Sequence, residues 1–356
     1  MKPLRVGILG EGQLGAMLAE AGTALGVQCS TLSPSRTYDP QAYDAVTYEN
    51  ESLDFQFIKN LSNSVPYFFP PVSALEIVRD RLTQKNFLAS LGIPVAPYVN
   101  PALFPSIEDA FSFLGREAIV KLCVSGYDGK GQFRMKTKND IRKIPEIFRR
   151  EQSVMEAVVS FEKELSIISV RSRTGEIAHY PLTENIHRDG MLIASIARSK
   201  NEPSLKKQAE QIANQILSKL NYVGTFAIEF FEVRGKLIVN EVATRVHNSG
   251  HWTLDGSETS QFENHLRAGL GLPLGSTRVL RPTLMINLIG ELPTDELFAE
   301  IPSARVYRYG KTPAPNRKLG HLNLPIDSGQ SAEEMIVDVL SRLGRAPFQR
   351  VHSLDE

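Results

Sequence analysis

The chain has 356 residues, 42% of them hydrophobic, which is long enough for two or three domains with a sizeable core. Forty acidic residues balance forty Lys and Arg, so no global electrostatic case exists for a nucleic-acid or anionic-membrane partner. The two cysteines, Cys29 and Cys123, make neither a disulfide framework nor a zinc spacing and suit a reducing cytoplasm, and no window of about 18 apolar residues predicts a membrane span.

The opening stretch, MKPLRVGILGEGQLG, turns glycine-rich too early for a secretory signal. Residues 4–9 read as a buried parallel strand, Gly10-x-Gly12-x-x-Gly15 opens a helix running to about Leu25, and Val27–Leu32 is the next strand. This βαβ unit commonly lays a helix N-terminus against a phosphate. A nicotinamide dinucleotide also wants an acid about 20 residues on. Ser30, Thr31 and Ser33 stand there instead, which leaves a tight turn with close helix–strand packing, or a different phosphate. Residues 46–49 and 67–71 are expected to be further strand ends. A helix from about Ala74 to Leu91 carries Asp80-Arg81-Leu82-Thr83-Gln84-Lys85 and is closed by Gly92-Ile93-Pro94. Arg81 reads either as a solvated charge or as a phosphate contact. Pro97 to Pro105 reads as a linker and a domain boundary.

Residues 117–136 hold Ala118-Ile119-Val120-Lys121, a loop with three glycines in six residues (Gly126, Gly129, Gly131), and a second strand. A lysine closing an apolar strand is partly desolvated and needs an anion. Glycine lets backbone N–H groups approach a phosphate. The competing reading is a flexible hairpin tip. A helix near 139–150, a strand at Val154–Val159, a strand opened by Glu164, and a strand at 177–182 follow. Glu184 to Gly190 reads as a polar turn containing His187. A long amphipathic helix spans about 203–219.

Residues 224–253 carry the most chemistry. Two β-rich runs flank Arg234-Gly235-Lys236, the pattern of a hairpin. A three-residue loop puts Glu229 across from Glu241, where like charges oppose pairing unless a cation lies between them. Oxygen-only ligands suit Mg²⁺ on a nucleotide phosphate. A two-residue loop puts Glu229 opposite Asn240 instead, so the reading depends on register. Arg245, His247, Asn248 and His251 follow the second strand. A helix near 257–269 and a strand at Thr283–Ile289 come next. Lys311, Arg317, Lys318 and His321 then cluster in a Pro-rich bend, which reads as a monophosphate clamp or a solvated loop. A helix near 331–343 precedes a frayed end.

The order of these signals resembles the ATP-grasp superfamily and, within it, the 5-(carboxyamino)imidazole ribonucleotide synthase family. The matching stretches are Gly12-Gln13-Leu14-Gly15, Asp80 to Lys85, Gly126 to Gln132, Asn240-Glu241, Arg245 to Thr253, and Arg317 to His321. The resemblance implies an α/β (α+β) fold: a Rossmann-like domain over 1–99, an ATP-grasp domain over 100–275 with a lid subdomain at about 104–185, and a small C-terminal domain over 276–356. It implies carboxylation of aminoimidazole ribonucleotide by bicarbonate with ATP as co-substrate, through carboxyphosphate, in a cytoplasmic enzyme that is commonly a homodimer. Glu229 and Glu241 would hold Mg²⁺ or Mn²⁺. Arg81, Lys121 and Lys130 would take phosphate charge, with Gly126, Tyr127, Asp128, Gly129, Gly131 and Gln132 completing the lid. Glu156, Ala157, Val158, Val159 and Glu164 would meet adenosine, and His187 and Asn240 the nucleotide. Arg245 and His247 would act beside bicarbonate and the amine. Gly12, Gln13, Leu14, Tyr127, Asp128, Lys311, Arg317 and Lys318 would take the ribonucleotide.

Three positions depart from the family pattern: Ala16 stands for Arg, Thr244 for Pro, and Ala314-Pro315-Asn316 for Arg-Pro-Gly. The alternatives are a formate-dependent glycinamide ribonucleotide transformylase, a nicotinamide oxidoreductase, and a nucleotide sensor lacking a metal carboxylate or phosphate lysine.

Overall fold

A computed structural model describes residues 2–33, 39–124, 131–150, 152–198 and 202–344. The N-terminal unit is a parallel sheet in the order β2-β1-β3, built from β1 (Arg5–Leu9), α1 (Gln13–Ala24), β2 (Gln28–Leu32) and β3 (Ala45–Tyr48), followed by α2 (Phe55–Ser62). Residues 67–71 add a single bridge, Phe68 to Val46, rather than a strand. The single helix expected from Ala74 to Leu91 is two helices, α3 (Val72–Val78) and α4 (Arg81–Ser90). The break comes from Asp80, whose carboxylate accepts from Thr83 N–H at 2.8 Å and caps the second helix.

A four-stranded antiparallel sheet follows in the order β4-β7-β5-β6. It comprises β4 (Tyr98–Val99), β5 (Ala118–Leu122), β6 (Gln132–Met135) and β7 (Ser153–Ala157), with α5 (Ile107–Leu114) and α6 (Ile147–Arg150) beside it. The expected linker therefore supplies an edge strand, β4, paired with Met155 and Glu156. The expected helix at 139–150 is a 3₁₀ turn at Lys138–Lys143 and the short α6. Ile144 is pushed out of the helical region (ψ 124) by Pro145 after it.

The largest sheet runs β13-β12-β8-β10-β11-β14-β16-β15, with β9 on the free part of β8. Its strands are β8 (Lys163–Arg171), β9 (Ile177–His179), β10 (Thr183–Arg188), β11 (Met191–Ala197), β12 (Gly224–Val233), β13 (Lys236–Ala243), β14 (Thr283–Ile289), β15 (Arg305–Arg308) and β16 (Lys318–Pro325). Residues 184–188, expected in a turn, lie in β10; the turn is Asp189-Gly190, with φ of 52 and 75. Among the helices, α7 (Pro203–Lys219) matches its expected span, while α8 (Thr253–Gly256) precedes α9 (Gln261–Leu270). The start of α9 is set by Ser260, which accepts from Glu263 N–H. The helices α10 (Asp295–Ala299) and α11 (Ala332–Arg342) complete the fold. None of the described helices is long and apolar enough to cross a membrane, and Cys29 and Cys123 are both free.

Helix α7 presents Leu205, Ala209, Ala213 and Ile216 at helical spacing, and these pack with Phe226, Phe230 and Val239 beneath the β12–β13 hairpin. A second core joins Leu284, Ile286, Leu322 and Leu324 to Ile336, Val339 and Leu340 of α11. Between the N-terminal unit and the large sheet lies His265, fully buried, bonded to Thr47 Oγ1 at 2.8 Å and accepting from Thr225 N–H at 3.1 Å. Burial depresses its pKa to about 3. The unfolded chain therefore binds a proton that the folded chain refuses between about pH 3 and pH 6.5. Stability from this site is complete above the unfolded value and falls as pH drops below it. His265→Gln is expected to narrow the difference in urea unfolding free energy between pH 7.5 and pH 5.5 by about 1.4 kcal/mol. An unchanged difference would place the acid sensitivity elsewhere.

Candidate active site

Glu229 and Glu241 are direct cross-strand neighbours, but not through the expected three-residue loop. The turn is Arg234-Gly235, with φ of 50 and 72, the two left-handed residues of a type I′ turn. Val233 pairs with Lys236, a register that, continued unbroken, would set Glu229 against Asn240. A bulge beside Glu229 and Phe230 adds one residue to β13 and returns Glu241 to the face of Glu229. Both carboxylates line a cleft of about 1250 Å³ walled by the four-stranded sheet, the large sheet and the N-terminal unit.

Burial, and then the charge of Glu241, push the Glu229 carboxyl up to about 7. The Nε2 atom of His247 is 3.5 Å from Glu229, but burial first and Arg245 second hold this imidazole well below its ordinary range, so it is neutral. Two facing carboxylates with this electrostatic strain fit a hard divalent cation. The described residues contain no cluster of three or more His, Cys, Asp or Glu that could hold a metal ion. A cation here would therefore complete its shell from phosphate oxygens and water.

Two of the expected phosphate cations, Arg81 and Lys121, each sit beside an acid. Arg81 is 3.7 Å from Glu241. The anion that Lys121 needs is Glu156, 3.1 Å away and buried in β7. The same Oε2 atom takes a second ammonium, Lys85, also at 3.1 Å. Lys85 donates further to the Asn240 carbonyl at 3.0 Å. Burial works against the Glu156 charge, yet the two lysines outweigh it and hold the carboxyl below its usual range.

Glu156, Ala157, Val158, Val159, Glu164, His187 and Asn240 all line the cleft. Glu164 is hydrogen-bonded to His187 Nδ1; burial opposes the imidazolium, but this bond and the Glu164 charge raise its pKa. Phe161 and Phe231 stack at 4.7 Å on the same wall, an apolar surface for a flat ring.

Gly12, Gln13, Leu14, Lys311, Arg317 and Lys318 also line the cleft, and Lys311 donates to the Gln13 side chain. The phosphate seat of the glycine turn is taken by the protein itself. Glu49, buried, accepts from the N–H groups of Gly12 and Gly15. A carboxylate already takes two N–H groups of this helix N-terminus, an arrangement that disfavours a dinucleotide pyrophosphate at this turn. A Cβ on Gly10 would collide with the Glu49 side chain, so the glycines serve packing. Two residues further, Glu51 accepts from Arg245 Nε at 2.7 Å and from Thr244 N–H at 2.8 Å. That N–H is a donor proline cannot supply, so Thr244 gains a contact where the family has Pro.

The substitution of Asn316 for Gly is equally legible. Arg317 N–H closes a turn on the Ala314 carbonyl at 3.1 Å, and Asn316 has φ 59, a left-handed position that Gly and Asn both tolerate. His321 does not belong to the clamp. It is fully buried within β16, bonded to Tyr309 Oη at 2.8 Å. Lys318 opens that strand rather than lying in a bend. His251 is also buried, bonded to Asn248.

Gln132 lines the cleft, and Gly131 turns the chain into β6 with φ 68. Gly126, Tyr127, Asp128, Gly129 and Lys130 lie outside the described residues. Sequence reasoning missed Lys85, Glu49, Glu51, Phe161 and Phe231 as contributors. For Lys85 a signal existed: it follows Arg81 by four positions and shares its helix face. Glu49 and Glu51 alternate past a strand end, which marks one face but no partner.

An ATP-grasp domain model matches residues 86–262, and a phosphoribosylaminoimidazole carboxylase C-terminal domain model matches residues 283–335. The N5-carboxyaminoimidazole ribonucleotide synthase of Pseudomonas aeruginosa is 37% identical, over 94% of this chain and 98% of that one. The crystal structure of N5-carboxyaminoimidazole ribonucleotide synthetase from Thermus thermophilus superposes with a TM-score of 0.87 at 38% identity, covering 97% of this chain and 100% of that one. The N5-carboxyaminoimidazole synthase of Aspergillus clavatus, in complex with ADP and 5-aminoimidazole ribonucleotide, gives a TM-score of 0.85 at 27% identity over 97% and 99% of the two chains.

Proposed function

The chain belongs to the N5-carboxyaminoimidazole ribonucleotide synthase family of ATP-grasp ligases, and from that premise we propose how its cleft carries out the ATP- and bicarbonate-dependent carboxylation of 5-aminoimidazole ribonucleotide. The carrying observation is the facing pair Glu229–Glu241 in one cleft with Arg81 and Lys121 at one wall and Lys311, Arg317 and Lys318 at another. Adenosine lies along Ala157 to Val159 and the Phe161–Phe231 stack, with Glu164 and His187 at its ribose. Arg81 and Lys121 take phosphate charge. A bicarbonate oxygen attacks the γ-phosphorus, ADP leaves, and carboxyphosphate forms. The exocyclic amine then bonds to the carboxyl carbon of carboxyphosphate or of CO₂ released from it, phosphate leaves, and the amine gives up a proton.

Positioning and charge neutralisation are the main demands of the first step. A divalent cation, Mg²⁺ or Mn²⁺, held by Glu229 and Glu241 would neutralise phosphate charge. Bicarbonate is assigned to Arg245, whose guanidinium is held by Glu51. His247, kept neutral by burial and Arg245, is assigned to the amine as a hydrogen-bonding partner. The same reading assigns Gly126 to Gln132 as a lid that keeps water from carboxyphosphate, with Tyr127 and Asp128 on the ribonucleotide and Lys130 on phosphate. It includes the domain division at 99/100 and 275/276, a homodimer and a cytoplasmic location.

Phosphate release from ATP should depend jointly on 5-aminoimidazole ribonucleotide and bicarbonate, with no turnover on glycinamide ribonucleotide and formate. Turnover on the second pair would transfer the chain to the formate-dependent ligases.

A further inference from the structure

Lys85 is the least exposed charged group near the cleft: it is 2% exposed and is not on the cleft wall. Its ammonium joins the two sheets that grip the nucleotide, reaching Glu156 on β7 at 3.1 Å and the Asn240 carbonyl on β13 at 3.0 Å. Lys121, which is on the wall, reaches the same Glu156 oxygen at 3.1 Å. One carboxylate is thus shared by two lysines; burial lowers the Lys85 pKa while Glu156 opposes that shift, and with both lysines charged the three groups carry one net positive charge, which reaches the cleft wall only through Lys121. A buried ion pair left one-to-one is self-satisfied, whereas an unbalanced one seeks an anion.

We infer that Lys85 is a positioning residue for ATP: it holds the Glu156 carboxylate so that Lys121 is released from that acid to a nucleotide phosphate. When a phosphate arrives, Lys121 exchanges one anion for another while Glu156 keeps Lys85, which still donates to the Asn240 carbonyl. Without Lys85, Glu156 and Lys121 form a neutral pair, and each phosphate must compete with a buried carboxylate for the same ammonium. This inference rests on the reading that Lys121 meets nucleotide phosphate.

The test is calorimetric titration of the full chain with ADP and, separately, with adenosine. Lys85→Met keeps the aliphatic stem and is expected to weaken ADP binding roughly tenfold, the scale of one charge-assisted hydrogen bond, with adenosine binding unchanged. The double substitution Lys85→Met with Glu156→Gln removes the competing carboxylate and is expected to restore most of the ADP affinity. Equal losses for ADP and adenosine, or no recovery in the double variant, would overturn the inference in favour of a purely structural lysine. Lys121→Met separates the two levels. If it too leaves ADP binding intact, the phosphate assignment of Lys121 has failed; if it weakens ADP binding while Lys85→Met does not, only the role of Lys85 has failed.

Discussion

Glu241→Gln should cut phosphate release from ATP about a thousandfold while leaving the fold intact. Cation-assisted neutralisation in phosphoryl transfer supplies several kcal/mol, and each ~1.4 kcal/mol is tenfold in rate. A neutral amide at this position halves the anionic charge opposed to the cation and weakens its hold. Folding has little at stake. The Glu241 side chain is 46% exposed and its partner Arg81 is 3.7 Å away, an exposed pairing of about 0–1 kcal/mol. Removing the charge also relieves the repulsion that lifts Glu229. The measurement is steady-state phosphate release beside circular dichroism and a melting curve. Turnover at the wild-type rate would dismiss the pair as metal ligands.

Lys318→Ala should lower kcat/KM for the ribonucleotide by about 10- to 100-fold, the range of a charge-assisted hydrogen bond of ~1.5–3 kcal/mol. Its effect on the KM for ATP should be much smaller. The position of Lys318 sharpens this expectation. Its charge bears on Glu229, His187 and His247, so under the proposed function it acts near the reacting centre rather than as a remote anchor. Part of the loss should therefore appear in kcat. Arg317, exposed on the turn and donating to the Thr312 carbonyl at 3.1 Å, should behave as the outer half of the clamp and act mainly through KM. An equal loss in ATP and ribonucleotide parameters for Lys318→Ala would end the clamp assignment.

Much of the cleft is legible in the sequence because its chemistry sits at strand ends and turns. A lysine closing an apolar strand needs an anion, and for Lys121 that anion is Glu156. The departures at Thr244 and Asn316 are visible in the chain but acquire meaning only in three dimensions, one as an extra donor to Glu51 and the other as a left-handed turn residue. The facing carboxylates are the most instructive case. The pairing expected from a three-residue loop forms instead through a two-residue turn and a bulge that compensate each other. The errors at helix ends are of one kind. Helix boundaries move where a short polar residue or a proline redirects the backbone, at Asp80, Ile144-Pro145 and Ser260.

What the amino-acid order determined by itself is local. It set the βαβ unit with its glycine turn, the hairpin carrying two acids, the lysine-ended strand and the basic group near the C-terminus, because backbone preference and side-chain period act between residues a few positions apart. Tertiary structure alone decided which acid fills the glycine turn, which carboxylate two lysines share, and which of four clustered basic or imidazole groups faces the cleft. Glu49 reaches Gly12 across 37 positions and Lys85 reaches Asn240 across 155. Such partners are selected by the cost of leaving a buried charge or N–H unsatisfied, and that cost exists only after packing has excluded water.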